Sequence, residues 1–189
     1  MDPSGTSWAR LDGDIDTKSR TLSVDREIDW QDGDKIVVTT TDYLPAHSEE
    51  LTIDTNGVAD KKKITFKEDI KYPHRGTKYS LKDHNIPSRL RDKGFSIEEV
   101  ETRAAVALLT RNIQVVSAGD NYGDKFPGDS YFGGHTIIRQ GFKQFQAQGV
   151  EFRQLGQGGR MAHAPVNFHL TREVPAGTFV RDCSINESM

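Results

Sequence analysis

Short apolar segments, separated by turn-forming residues, recur along almost the whole chain of 189 residues. The clearest of them, 35–41, is rich in β-branched residues and follows the turn signal Gly33-Asp34. Two further segments, 50–53 and 63–66, alternate apolar and polar residues with a period of two. This pattern predicts an all-β fold. No apolar run approaches the ~18 residues that a membrane-spanning helix requires, so no membrane insertion is expected.

One segment, 96–110, carries conflicting signals. Ser96 and Glu99 form a capping-box pattern, and apolar residues follow them at helical spacing. Local propensity therefore favours a helix here. The overlapping stretch 106–116, however, is rich in apolar residues that suit buried strands. The residues by themselves leave both interpretations open.

The second half of the chain, from Asn112 onward, consists of short strand-like segments between glycine-rich turns. These segments are 113–116, 136–138, 150–152, 166–170 and 179–180. The pattern Val150-x-Phe152-x-x-Leu155 recurs loosely in 180–185. Short strands at nearly regular spacing, without intervening helices, favour stacked β-coils, and a β-sandwich is the alternative.

The net charge of −3 conceals a basic segment. Residues 61–93 contain eleven Lys and Arg residues against four acids, which favours attraction of polyanions, with a solvated lysine-rich loop as the alternative. Nucleic acid is not expected as a partner, because only Phe66, Tyr72 and Tyr79 could stack on bases. Residues 68–95 lack a clear period and contain four Pro and Gly breakers, which predicts a long loop or insertion.

The cysteine content and the two ends of the chain add further constraints. The single cysteine, Cys183, excludes an internal disulfide and a cysteine-based zinc cluster. The residues after Met1 show neither the basic n-region nor the apolar h-region of a signal peptide. A strand-like segment, 178–185, is followed by only four residues. We therefore expect the chain to be a fragment of a longer protein.

Five blocks of the chain, in a single order, resemble a known family. Two blocks resemble the G-eight domain, a β-rich domain named for eight glycines: WQDGDKIVVTTTDY with AHSEE (30–50), and RAAVALLTRNI (103–113). Three blocks resemble the parallel β-helix that follows this domain in hyaluronan-binding and fibrocystin-related proteins: FGGH (132–135), GVEFRQLGQ (149–157) and PVNFHL (165–170). Asn167, Ala105 and Leu155 depart from the family pattern, which has His, Glu and Met at these positions.

The resemblance implies a domain organisation. It implies a G-eight-type β domain at 1–111, with a basic insertion at about 68–95, followed by the first coils of a right-handed parallel β-helix at 112–189, truncated at the C-terminus. It also favours a strand over 103–109, with at most a helical turn at 96–101.

The resemblance also implies a function. It indicates an extracellular or cell-surface protein that binds hyaluronan or a related acidic polysaccharide and that could depolymerise it when full-length. A non-catalytic carbohydrate-binding or adhesion module of the fibrocystin type is the alternative. The expected partners are the polysaccharide and the remainder of the protein's own β-helix. The resemblance does not say whether a cofactor is required.

Candidate catalytic residues follow from the chemistry of uronate polysaccharides. Elimination needs a base and a cation that neutralises the carboxylate, and His169, His135 and Arg103 fit these roles. Structural roles are the alternative for each of them, and Arg103 could simply pair with Glu101 on the same strand face. Hydrolysis would instead need two carboxylates. The acids at or beside family motifs are Glu101, Asp129 and Glu151.

Candidate substrate-binding residues lie in both halves of the chain. Asn167 alternates with His169, so the two side chains share one face of a strand, in a polar ladder that could equally be structural. The predicted substrate-binding residues are Asn167, Glu151, Arg160, Lys61, Lys62 and Lys63. Zinc would require a set of ligands such as His135, His163 and His169, and no metal site is predicted.

Overall fold

The structure is a computed structural model, and it describes residues 5–58, 60–81, 98–117 and 133–188. These residues contain fifteen β-strands and one turn of 3-10 helix at Pro45–His47, but no α-helix. The predicted all-β class is confirmed. The chain divides into two compact units: Trp8–Leu108, and Leu109–Met189 together with Met1–Ser7. Within the described ranges, no helix has the length and apolar character needed to cross a bilayer.

Every strand pair of the Trp8–Leu108 unit that the structure describes is antiparallel. The strands are β1 (Trp8–Arg10), β2 (Thr21–Ser23), β3 (Lys35–Val38), β4 (Glu49–Thr52), β5 (Lys63–Thr65), β6 (Tyr79–Ser80), β7 (Glu99–Val100) and β8 (Ala105–Leu108). The largest sheet has the strand order β1-β8-β3-β4. Because successive side chains of a strand face opposite sides, Ile36 and Val38 of β3 are buried together with Val106 and Leu108 of β8.

A second antiparallel ribbon joins residues 13–24 to residues 62–76. β2 pairs with β5, and the ribbon continues as the amide of Lys18 donates to the carbonyl of Ile70 and the amide of Ile15 to that of His74. The side chains of Ile70 and His74 are buried. Residues 68–76 contain no strand or helix, but their backbone hydrogen bonds with a distant segment bring Ile70 and His74 into the core. Residues 82–95 of the predicted loop lie outside the described residues.

The segment with conflicting signals is extended where the structure describes it. β8 confirms the strand favoured over 103–109. Glu99 and Val100 form β7 and pair with β6, so the helical turn predicted at 96–101 is wrong for these two residues. Pairing with β6 satisfies backbone groups that a single helical turn would leave without partners. Ser96 and Ile97 lie outside the described residues.

In the Leu109–Met189 unit, every described strand pair is parallel. The strands are β9 (Ile113–Val116), β10 (Thr136–Arg139), β11 (Gln146–Gln148), β12 (Val150–Arg153), β13 (Val166–His169), β14 (Phe179–Arg181) and β15 (Ser184–Asn186). β9 pairs with β12, β10 with β13, β11 with β14, and β12 with β15. Each strand thus lies beside the strand three places later in the chain, which is the arrangement that stacked coils of three strands produce. The handedness of such coils stays a prediction.

The interior of this unit is a small apolar cluster around Ala147, Phe152 and Leu155. The apolar residues of 106–116 predict that β9 is buried. It is not part of this cluster, because Ile113 and Val115 are 60% and 40% exposed. The physical reason is that β9 is an edge strand, with β12 as its one neighbour among the described strands. The interpretation of the two units as a G-eight-type domain and the start of a β-helix stays a prediction.

Candidate functional site

Arg103 is almost enclosed by acidic partners. Its guanidinium donates to Glu101 from Nε (2.9 Å) and Nη2 (2.8 Å), and Nη2 also lies 3.4 Å from Asp25 Oδ2. The hydrogen bond from Arg103 lowers the pKa of Glu101 to about 2, and the same bond raises the pKa of Arg103. The side chain of Arg103 is only 13% exposed. This geometry supports the structural alternative, and a catalytic role for Arg103 stays a prediction.

His135 lies against a second histidine. The ring centroids of His135 and His163 are 4.4 Å apart, and the ring planes make an angle of 58°. Asn167 reaches the same turn, because its Nδ2 donates to the carbonyl of Ala162 (2.6 Å). Arg160 is itself a member of this turn. The structure therefore brings three of the predicted residues to the turn 157–163, although their spacing in the sequence does not indicate it.

His169 lies at the end of the paired strands β10 and β13 that is farther from His135. Its register partner on β10 is Arg139, whereas His135 precedes the first residue of β10. Four residues of strand span about 13 Å, so the two candidate catalytic histidines are well separated. Phe168 packs edge-on against two neighbouring aromatic rings. The alternation of the strand then places Asn167 and His169 together on its other face, which is the predicted arrangement.

Glu151 is buried, with only 6% of the residue exposed. Its carboxylate accepts hydrogen bonds from Gln114 Nε2 (2.8 Å) and Asn186 Nδ2 (3.1 Å), which belong to the two strands that flank β12. A buried carboxylate needs such donors, so the contacts explain its position as a link between three strands. Burial argues against a direct contact of Glu151 with a polysaccharide. Of the other two acids, Asp129 lies outside the described residues, and Glu101 belongs to the other unit.

The three consecutive lysines at 61–63 are exposed. Lys61 Nζ lies 3.5 Å from Glu27 Oε2. Lys63 lines an open groove of about 550 Å³, formed mainly by residues 12–23. The charged residues that share the groove with it are Asp12, Asp14, Asp16 and Lys18. Three aspartates make the groove predominantly acidic, which disfavours it as a binding site for a polyanion.

An ordered polar cluster in loop 40–48 involves residues for which the sequence suggests no role. His47 Nδ1 lies 2.6 Å from Asp42 Oδ2, and Asp42 Oδ1 accepts from Thr40 Oγ1 (2.7 Å) and the amide of Leu44 (2.8 Å). These bonds, that from Thr40 first, lower the pKa of Asp42 to about 2. The ring of His47 stacks on that of Tyr72, with centroids 3.8 Å apart. The one sequence signal for this cluster is that Asp42 and His47 lie on either side of Pro45.

The segment that carries Tyr72 is anchored by a buried pair. Glu49 accepts hydrogen bonds from the amides of Lys71 (2.9 Å) and Tyr72 (3.0 Å), and its Oε1 lies 3.0 Å from His74 Nε2. His74 Nδ1 lies 3.0 Å from the carbonyl oxygen of Thr39. Both side chains are removed from solvent. The pair therefore fixes the backbone beneath the stacked rings of His47 and Tyr72.

Comparison with known proteins points to one group of relatives. Residues 131–189 match the family model described as CEMIP beta-helix. The human cell surface hyaluronidase CEMIP2 is 30% identical over 84% of this chain and 11% of its own length. The cell migration-inducing and hyaluronan-binding protein of Mus musculus is 29% identical, over 93% of this chain and 12% of its own. Fibrocystin-L of Mus musculus is 26% identical, over 98% of this chain and 5% of its own.

The matches extend to the first half of the chain as well. Two proteins of Dictyostelium discoideum named for a G8 domain match over 96% of this chain. The chain spans less than a fifth of the length of the curated relatives it matches. The resemblance found in the sequence motifs is confirmed. The chain is a homologue of the G8-domain proteins, the CEMIP proteins and fibrocystin-L, and its C-terminal part matches the CEMIP beta-helix.

Proposed function

We propose that the chain binds an acidic polysaccharide of the hyaluronan class, at a surface of the Trp8–Leu108 unit formed by Lys71, Arg75 and the stacked rings of His47 and Tyr72. We call this surface the 71–75 patch. An extracellular or cell-surface location goes with this proposal. Two relatives support the choice of ligand, since one is named a hyaluronan-binding protein and the other a cell surface hyaluronidase.

One observation carries the proposal: two exposed cations precede and follow Tyr72 in the sequence, and the ring of Tyr72 is stacked on His47 above a backbone that the buried Glu49 holds in place. Lys71 and Arg75 are exposed, and among the residues that the structure describes neither has an ion-pair partner. Unpaired cations attract a polyanion and require no broken ion pair on binding. Tyr72 lies between them and stacks on His47. An aromatic ring offers an apolar face to a sugar, and its fixed position lowers the entropic cost of binding.

Binding is favoured over cleavage by the positions of the candidate catalytic residues. His135 and His169 are separated along their strands, and the guanidinium of Arg103 is engaged by Glu101. A base and a cation must lie within reach of one sugar unit to act together in elimination. We therefore propose a binding module as the function of this chain, and enzymatic activity would require further residues of a longer protein.

The salt dependence of binding tests the proposal. Affinity for a fluorescently labelled hyaluronan oligosaccharide would be measured by anisotropy at low and at high salt. We expect the affinity to fall steeply as the salt concentration rises. Salt ions screen the attraction between the exposed cations and the polyanion, and the Debye length is only ~10 Å at 0.1 M. Lys71→Gln and Arg75→Gln should each weaken binding roughly fivefold at low salt, the effect of about 1 kcal/mol per exposed charge contact.

The matched control is Lys143→Gln, which removes an exposed positive charge from the other unit. It should leave the affinity unchanged, as should a neutral dextran competitor. Affinity that is independent of salt, or that survives the double change Lys71→Gln with Arg75→Gln, would contradict the proposal.

A further inference from the structure

The turn 157–163 and the preceding Gly156 are joined to the segment 133–135 by hydrogen bonds. The amide of Gly133 donates to the carbonyl of Gly156, and the amide of Gly156 donates to the carbonyl of Gly134, both at 2.7 Å. The buried side chain of Gln157 donates from Nε2 to the carbonyl of Gly133 (3.1 Å). Within the turn, the amide of Gln157 donates to the carbonyl of His163 (2.9 Å). These bonds hold the backbones beneath two neighbouring histidine rings in a fixed relation.

The orientation of one ring follows from its hydrogen bond. His163 Nδ1 lies 2.8 Å from the carbonyl oxygen of Met161. Because a carbonyl oxygen can only accept, Nδ1 carries the proton and Nε2 carries the lone pair of the neutral ring. Histidines that bind metal ions are usually oriented in this way, with the nitrogen that does not bind the metal donating to a carbonyl or carboxylate.

The ring of His135 lies close enough to that of His163 for the two rings to bind one ion together. The centroids of His135 and His163 are 4.4 Å apart, and the planes are tilted by 58° rather than stacked. In the described part of the chain, neither ring nitrogen of His135 makes a hydrogen bond to another residue. Two imidazole nitrogens bind one ion when each lies about 2.0–2.1 Å from it, which two tilted rings in contact can reach with small rotations about their side-chain bonds.

We propose that His135 and His163 form a two-histidine site for a divalent transition-metal ion such as Zn²⁺ or Cu²⁺. Imidazole nitrogen suits these ions, whereas Ca²⁺ and Mg²⁺ prefer oxygen ligands. Among the described residues, no three His, Cys, Asp or Glu side chains cluster closely enough to hold a metal ion, so water completes the coordination. Arg160, in the same turn, opposes the binding of a cation by its charge. The site is independent of the 71–75 patch, because it belongs to the other unit.

The test is a calorimetric titration of the tag-free chain with Cu²⁺ and with Zn²⁺. We expect saturable binding of one equivalent, tighter for Cu²⁺ than for Zn²⁺, and no binding of Ca²⁺ or Mg²⁺. His135→Gln and His163→Gln should each weaken binding at least tenfold. His47→Gln is the matched control, since it removes a histidine of the other unit, and it should leave the affinity unchanged.

A second measurement does not depend on variants. In the NMR spectrum of the unaltered chain, substoichiometric Cu²⁺ should broaden the imidazole resonances of His135 and His163 before those of His47, His74 and His169. Absence of saturable binding, full affinity in folded His163→Gln, or first broadening of other histidines would each overturn the proposal.

Discussion

A buried histidine and glutamate organise the Trp8–Leu108 unit at the scale of single residues. Both ring nitrogens of His74 face acceptors, namely the carbonyl of Thr39 and the carboxylate of Glu49. The ring of His74 therefore links the backbone at Thr39 to the carboxylate of Glu49. The amides of Lys71 and Tyr72 complete the hydrogen bonds of Glu49. None of these contacts can be predicted locally, because His74 and Glu49 are far apart in the chain.

Substitution of Glu49 tests the importance of this pair. Glu49→Leu should lower the free energy of unfolding by about 3–5 kcal/mol, because it leaves His74 Nε2 and the amides of Lys71 and Tyr72 without their hydrogen-bond partner. Glu49→Gln should cost much less, since the side-chain amide has the same shape and its oxygen can still accept hydrogen bonds from the amides of Lys71 and Tyr72. Urea denaturation monitored by circular dichroism measures both values. Equal losses in the two variants would contradict this role.

The contact between Glu101 and Arg103 should make stability depend on pH. The pKa of Glu101 is lowered to about 2 in the folded chain, below its ordinary value of 4.5. Because this pKa is lowered on folding, the ionised Glu101 stabilises the fold fully above about pH 4.5, and this stabilisation is lost as the pH falls towards 2. Between pH 5 and pH 2.5 the melting temperature should therefore fall less in Glu101→Gln than in the unaltered chain. Glu50→Gln, an exposed change on β4, serves as the control and should leave the pH profile as it is.

At the scale of elements, the ribbon of residues 13–24 and 62–76 shows where local patterns fail. The alternation in 63–66 predicts β5 correctly. The following residues lack a period and contain Pro73 and Gly76, so they resemble a loop. They nevertheless continue the ribbon, and Gly76 is required there by space: a Cβ on it would lie 2.1 Å from the carbonyl oxygen of Gly13. A breaker in the sequence is thus a point of close contact in the fold.

The close contact gives a prediction for this element. Gly76→Ala should lower the free energy of unfolding by about 2–3 kcal/mol, because the nearest atoms belong to backbone that cannot move aside easily. Gly134→Ala is the control, since its Cβ would meet only Leu155 Cδ2 at 3.7 Å. Its effect should stay within about 0.5 kcal/mol. Denaturant titration measures the free energy of unfolding of both variants. Similar losses would show that the close approach of Gly76 to Gly13 is not what requires glycine at position 76.

At the scale of the whole molecule, the chain combines two kinds of sheet. The Trp8–Leu108 unit is antiparallel, whereas the Leu109–Met189 unit pairs each strand with the strand three places later. Each unit has buried apolar residues of its own, Ile36 in the first and Phe152 in the second. We therefore propose that the two units are separate folding domains, in agreement with the domain organisation that the motifs imply.

Hydrogen exchange followed by mass spectrometry tests this proposal. Phe152→Ala removes a ring from the apolar cluster and should cost about 3–5 kcal/mol. Exchange should accelerate in peptides of 109–117 and 133–188 and stay unchanged in those of 8–58. Ile36→Ala should produce the reciprocal pattern, at a cost of about 2–5 kcal/mol. Faster exchange throughout the chain in both variants would show a single cooperative unit instead.

The sequence by itself determined the all-β class, the positions of several strands and the kinship of the chain. β-branched residues mark 35–38, alternation marks 63–65, and the spacing of short segments marks 113–116 and 166–169. These signals are local, because the conformation of a strand depends on the two faces that its own residues present. The family motifs are also read in short blocks, so they needed no knowledge of contacts.

Only the tertiary structure decided which strands pair, and which polar residues meet. It buried His74 and Glu151, kept His169 away from His135, and placed His135 against His163. Each of these outcomes joins residues that lie far apart in the chain. A local pattern holds no information about such partners, because the cost of closing a long loop and the gain from burial depend on the whole fold.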